Sequence, residues 1–102
     1  CDDHLRNHGF ILSGKGGWEL SPAYDINPDE TGMGLKLNIT EDDNSLDFEL
    51  ALSIAKYFGL GTAKATEILS AIKSAVSKWQ QFASEAGIPR SEQELVSGAF
   101  RY

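Results

Sequence analysis

Asp2 and Asn7 stand five positions apart in Asp2-Asp3-His4-Leu5-Arg6-Asn7, and their types and spacing suit one chemistry, transfer of a phosphoryl group to a hydroxyl. In a D-x-x-x-x-N loop of that kind the Asp receives the hydroxyl proton and the Asn holds magnesium. Asp25, in Ser21-Pro22-Ala23-Tyr24-Asp25, is placed to be the second magnesium carboxylate, the counterpart of the Asp in a D-F-G element. A free Asp has a pKa near ~3.9, so Asp2 is a poor base toward a ground-state alcohol. Its task would be to orient the hydroxyl in line and to take the proton as the new bond to phosphorus forms. Asn7 and Asp25 offer hard oxygens, the ligands magnesium takes beside phosphate and water.

The neighbours of these residues are less decided. Asp3 would move the Asp-to-Asn register by one, which assigns the proton acceptor to Asp2. His4 follows the acceptor by two positions, where it could touch a phosphate or hydrogen-bond within the loop. Arg6 could reach a phosphate or pair with Asp3. Without metal, Asp2, Asp3 and Asp25 would repel one another, so the site is expected to be loosely ordered. His4 and His8 also raise a rival: four apart, they could join Asp2 or Asp3 in a zinc or iron site of a hydrolase. Gly9 and the Asn-His-Gly sequence suit a loop better than the helix such spacing needs, and no glutamate follows the first His as in H-E-x-x-H.

Asp2-Asp3-His4-Leu5-Arg6-Asn7-His8, a short Gly-containing stretch and Leu20-Ser21-Pro22-Ala23-Tyr24-Asp25 together resemble the C-terminal part of HipA-like serine/threonine kinases. These are the toxin members of bacterial toxin–antitoxin pairs. The resemblance continues through Leu50-Ala51-Leu52-Ser53-Ile54-Ala55-Lys56-Tyr57-Phe58-Gly59-Leu60 and a long helix ending near Trp79. It implies the C-lobe portion of a protein-kinase-like fold and a cytoplasmic enzyme that uses ATP and Mg2+. It also implies a translation-related protein substrate (glutamyl-tRNA synthetase in the best-known member), self-phosphorylation and restraint by a DNA-binding antitoxin partner. Ile26-Asn27 follows Asp25 where D-F-G would have Phe-Gly, which puts a standard activation-loop switch in doubt.

The elements that must position these residues are expected to be a small N-terminal β-hairpin followed by about three helices, a mainly α chain. Phe10-Ile11-Leu12 and the alternating Trp18-Glu19-Leu20 flank Ser13-Gly14-Lys15-Gly16-Gly17, which predicts a hairpin with a loop of roughly five residues. That hairpin would carry the chain from Asn7 around to Asp25. Its glycines fit a turn; the G-x-x-x-x-G-K-[ST] phosphate-loop pattern is incomplete. Leu35-Lys36-Leu37-Asn38-Ile39 alternates and predicts a further strand or extended segment. Glu41-Asp42-Asp43 is read as a solvated turn.

Asn44 is the predicted cap of a first helix, with the stripe Phe48, Ala51, Leu52, Ala55 and Phe58 ended by Gly59. A long second helix begins at Gly61-Thr62, turns Ile68, Ile72, Val76, Trp79, Phe82 and Ala86 inward, and stops at Gly87 and Pro89. Ser91 and Glu94 have capping-box spacing for a last helix, from which Leu95, Ala99 and Phe100 would dock back. Phe58, Ile72, Trp79 and Phe82 are the expected core, and Lys64, Lys73 and Lys78 a solvated face. Residues 1–34 would thus be catalytic loop and hairpin, and residues 35–102 helical scaffold.

Composition narrows the function classes. A net charge of -6 argues against a direct nucleic-acid binder, which needs clustered Lys and Arg. No apolar run is long enough for a membrane span. One cysteine cannot cross-link the chain to itself and fits a reducing compartment. Cys1 is no initiator and the chemistry starts at the second residue, so the chain is expected to be a piece of a longer kinase. Alone, it is expected to be inactive for want of the lobe that clasps the nucleotide. A non-enzymatic helical docking module is the remaining alternative.

Overall fold

The structure is a computed structural model, and it describes residues 4–102. The chain is mainly helical behind an N-terminal hairpin, as the periodicity predicts. A single 3-10 turn, Leu5–Asn7, leads into strand β1 (Phe10–Ser13), which pairs antiparallel with β2 (Gly17–Leu20). The register sets Phe10 opposite Leu20 and Leu12 opposite Trp18, so these four side chains share one face of the hairpin. The strands run to Ser13 and Gly17, and the loop between them is therefore three residues rather than five. Gly16 takes the left-handed conformation (φ 85°) that three-residue hairpin loops require at that point.

Leu35–Ile39 is not a strand. The nearest ladder contact, an isolated bridge between Gly34 and Ser45, flanks the segment. The polar residues around it compete for the backbone: Asn44 donates to the Leu35 carbonyl at 2.6 Å, and the Leu35 N–H returns to the Asn44 carbonyl at 2.9 Å. Asp43 accepts from the Ser45 backbone and hydroxyl, so the segment closes as a loop before a ladder can propagate.

With Asn44 engaged there, the first helix is capped by Asp47 instead, whose carboxylate accepts from the Glu49 N–H at 2.8 Å. Helix α1 (Phe48–Ser53) passes into a 3-10 turn, Ala55–Phe58, and Gly59 stops it in the left-handed region (φ 70°). The long second helix is broken into α2 (Thr62–Val76) and α3 (Trp79–Glu85). Ser77 explains the break. Its hydroxyl donates to the Ser74 carbonyl at 2.9 Å, the oxygen that Lys78 would use in an unbroken helix, and the Lys78 N–H goes to Ala75 instead.

Gly87 (φ 79°) and Pro89 end α3 and set the entry to α4 (Arg90–Val96). The Ser91–Glu94 capping box does not form, because the helix begins one residue earlier, with Pro89 at the cap and Ser91 already inside; Glu94 instead pairs with Arg90 at 3.1 Å. A last 3-10 turn, Ser97–Ala99, brings Phe100 onto Trp79 in a parallel stack, centroids 4.1 Å apart.

Helix α1 packs on α2 and α3 on α4, and the buried positions are small: Ala55 and Ala65. Gln93, also buried, donates to the Ile88 carbonyl (2.8 Å) and Ser84 hydroxyl (3.2 Å), which locks α4 to the turn before it. The expected large-residue core is not closed. Trp79 is half-buried, but Phe58, Ile72 and Phe82 are 72%, 53% and 60% exposed, and Leu95 points to solvent. The radius of gyration, 15.8 Å, explains this. A closed domain of about 100 residues measures ~13 Å, so the elements here lie too far apart to cover one another's apolar faces. Among the lysines, Lys64 pairs with Glu67 at 2.8 Å and Lys73 lies 4.5 Å from the centre of the Phe48 ring. Among the described residues, no helix is long and apolar enough to cross a membrane.

Candidate active site

The hairpin returns the chain to its starting point, and the return builds the site. The Ser21 N–H donates to the Gly9 carbonyl at 2.8 Å, which closes the two limbs just beyond the β1–β2 ladder. The Tyr24 hydroxyl then donates to the Arg6 carbonyl at 2.8 Å. That bond joins the residue before Asn7 to the residue before Asp25. One step further along each limb, Asn7 Nδ2 donates to Asp25 Oδ2 at 2.9 Å. The two residues are 18 positions apart in the chain and in direct contact in space.

Asp25 sits in the left-handed region (φ 56°), alone in this among the described non-glycine residues. Its other oxygen, Oδ1, accepts from Asn27 Nδ2 at 3.1 Å. The carboxylate is therefore bracketed by two amides, one on each oxygen. Neutral donors thus face the Asp25 carboxylate on both sides; the repulsion expected among Asp2, Asp3 and Asp25 involves residues outside the described ones. Asp2 and Asp3, the expected proton acceptor and its neighbour, lie outside the described residues, as does Cys1.

Around this pair opens a cleft of about 720 Å3, with Asn7, Tyr24, Asp25, Asn27 and Asp29 on its wall. Asp29 is held by its own loop: its Oδ1 accepts from the Thr31 N–H and hydroxyl and from the Gly32 N–H, all at 2.9–3.0 Å. Gly9 belongs to the same wall, and a Cβ there would come within 3.3 Å of the Ser21 hydroxyl. His4 and Arg6 stand at the entrance to the 3-10 turn. Arg6 Nη2 approaches His4 Nε2 at 3.5 Å, and because a guanidinium only donates, His4 Nε2 is the acceptor. Its Nδ1 is buried without a hydrogen-bond partner.

A model of the HipA-like C-terminal domain matches residues 1–79. The chain belongs to that family. Neither a curated protein nor a solved structure matches it. In this HipA-like C-terminal domain the family match covers the loop, the hairpin, α1 and α2, and ends at the first residue of α3.

Asn7, through its amide oxygen, and Asp25, through its carboxylate, are residues that could hold a hard divalent cation. They touch through the Asn7 amide nitrogen, at the wall of the cleft. Among the described residues, no three His, Cys, Asp or Glu side chains gather into a metal cluster, the pattern a protein-only zinc or calcium cage would need. Tyr24 and Asn27 were not singled out from sequence. Both lie within two positions of Asp25, and an Asn-Pro pair one residue beyond a metal-type Asp is the signal that could have marked Asn27.

Proposed function

We propose that this HipA-like domain is the catalytic-loop and metal-binding part of an ATP- and Mg2+-dependent serine/threonine protein kinase acting in the cytoplasm. The contact between Asn7 and Asp25 carries the reading. The hairpin brings the two side chains together, and a magnesium–nucleotide site needs one oxygen from each.

In that reading Asn7 and Asp25 hold Mg2+, which when bound neutralises phosphate charge. Asp2 accepts the proton of the substrate serine as its oxygen bonds to the γ-phosphorus and the bond to ADP breaks. Asp3, His4 and Arg6 lie nearest the phosphates and the incoming peptide. Tyr24 keeps the two limbs in register, so that Asn7 and Asp25 arrive together. Because positioning and charge neutralisation supply most of the acceleration in phosphoryl transfer, displacing either ligand removes most of the rate. The substrate is a protein hydroxyl, by family resemblance on a translation-related protein, and an antitoxin restrains the intact enzyme.

Asp25→Asn in the intact parent protein is the direct test. Asparagine accepts the left-handed backbone and keeps the shape, so what is lost is the charge and one of the two oxygens that accept from Asn7 and Asn27. Phosphate transfer from labelled ATP is expected to drop by more than about 100-fold, beyond the upper range for residues that only support a metal ligand. Undiminished transfer would remove the kinase assignment.

A further inference from the structure

Asn27 meets the Asp25 carboxylate from the opposite side to Asn7, and no sequence motif demands it there. The two amides face unequal demands. Asn7 donates to Oδ2, but its carbonyl oxygen is also the atom a cation would draw on, so its amide serves two masters. Asn27 has one polar partner among the described hydrogen bonds, Oδ1 at 3.1 Å. It also precedes Pro28, which restricts its backbone to extended conformations and limits the directions its side chain can take.

We infer that Asn27 is a positioning residue for the metal site: its hydrogen bond to Asp25 Oδ1, made opposite the one Asn7 gives Oδ2, fixes the plane of the carboxylate offered to the cation. The inference rests on the magnesium-site reading above and adds to it the residue that sets the orientation of its carboxylate ligand. Asp25 needs such a support. It is exposed, it lies in a loop, and its backbone is in a sparsely populated conformation, so nothing in its packing fixes the orientation of its carboxylate. A side chain two residues on, tethered by a proline, supplies what the missing packing does not. The energetic logic is that of outer-shell groups generally: they touch the ligand, not the metal, and their loss appears as weakened metal binding.

The test uses Mn2+ as the probe, titrated into the intact parent protein with a non-hydrolysable ATP analogue and read by electron paramagnetic resonance. Asn27→Leu, branched at the same carbon but without a donor, is expected to weaken Mn2+ binding about tenfold. Asn27→Gln, which keeps the amide on a longer arm, is expected to recover most of that loss. The Tm of the metal-free protein should be the same for both variants and the unsubstituted chain. Mn2+ affinity unchanged in Asn27→Leu, while Asp25→Asn abolishes binding, would overturn the positioning role and leave the magnesium site intact. Binding unchanged in Asp25→Asn as well would overturn both. A lowered metal-free Tm in Asn27→Leu, with no recovery of Mn2+ binding in Asn27→Gln, would make Asn27 a structural residue and overturn the inference too.

Discussion

The loop and hairpin of residues 4–34 and the helical body of residues 48–100 are held together by different means. In the first, polar contacts join positions far apart in sequence: Asn7 to Asp25 and Tyr24 to Arg6, each across 18 residues. Its apolar side chains, Phe10, Leu12, Trp18 and Leu20, stay exposed on one face of the hairpin. In the second, order comes from helix hydrogen bonds, small residues at the α1–α2 contact and one aromatic stack at the C-terminal end. The lesson is that the candidate site does not inherit its shape from a core. It is built by a short set of directional bonds, each of which can be removed by deleting one atom or one group.

If that contrast is right, damage to one region should leave the other nearly untouched. Phe100→Ala removes the ring stacked on Trp79 and should have the largest effect on stability, about 1–3 kcal/mol, less than a fully buried aromatic because both rings are half-exposed. Urea unfolding of the parent protein, followed by tryptophan emission, measures it. Mn2+ affinity should not move, and a parallel loss would show that the two regions are one cooperative unit.

Tyr24→Phe tests the other side. It deletes the hydroxyl that donates to the Arg6 carbonyl and nothing else, at a cost of about 0.5–1.5 kcal/mol. Here the sharper readout is Mn2+ binding, expected to weaken while the unfolding midpoint shifts little. An unaltered Mn2+ affinity would mean that the hairpin alone sets the register of the two limbs.

The smallest effect belongs to the loop that joins the regions. Hydrogen bonds from the Ser45 hydroxyl and then the Ser45 backbone hold the Asp43 carboxyl below its usual value of 3.8. A depressed folded-state pKa contributes stability above the unfolded value and loses it as pH falls through the folded one. Asp43→Asn should therefore be less stable than the parent at neutral pH, with the gap closing as pH falls below about 4. Thermal unfolding at stepped pH checks this, and a gap independent of pH would assign the effect to geometry rather than charge.

Much of this was legible in the sequence where a single residue type dictates the local geometry. Gly16, Gly59 and Gly87 all take the left-handed conformation that ends a turn or a helix, and the hairpin lies where alternating apolar residues flank a glycine cluster. The pairing of Asn7 with Asp25 followed from motif spacing as a requirement of the chemistry; the bond between them is a fact of the structure. The misreadings have a common cause. At Asn44 the side chain found a nearer partner than the helix N-terminus its pattern implied, the Leu35 carbonyl, and the Ser77 hydroxyl took the Ser74 carbonyl inside a helix that the apolar stripe ran straight through. Periodicity weighs apolar faces and is blind to such competition. The exposed Phe58, Ile72 and Phe82 show a second blind spot, since a stripe reports that a face is apolar, not that anything lies over it.

The left-handed backbone at Asp25 limits what evolution can try there. Glycine, asparagine and aspartate enter that conformation readily, while other side chains incur a penalty of about 1–2 kcal/mol. Only aspartate among the tolerated three is anionic. Glutamate, the usual conservative exchange, would keep the charge yet meet the backbone penalty, so the two constraints intersect at a single amino acid. On the proposed magnesium reading, a replacement by glycine or asparagine would keep the turn and give up the charge.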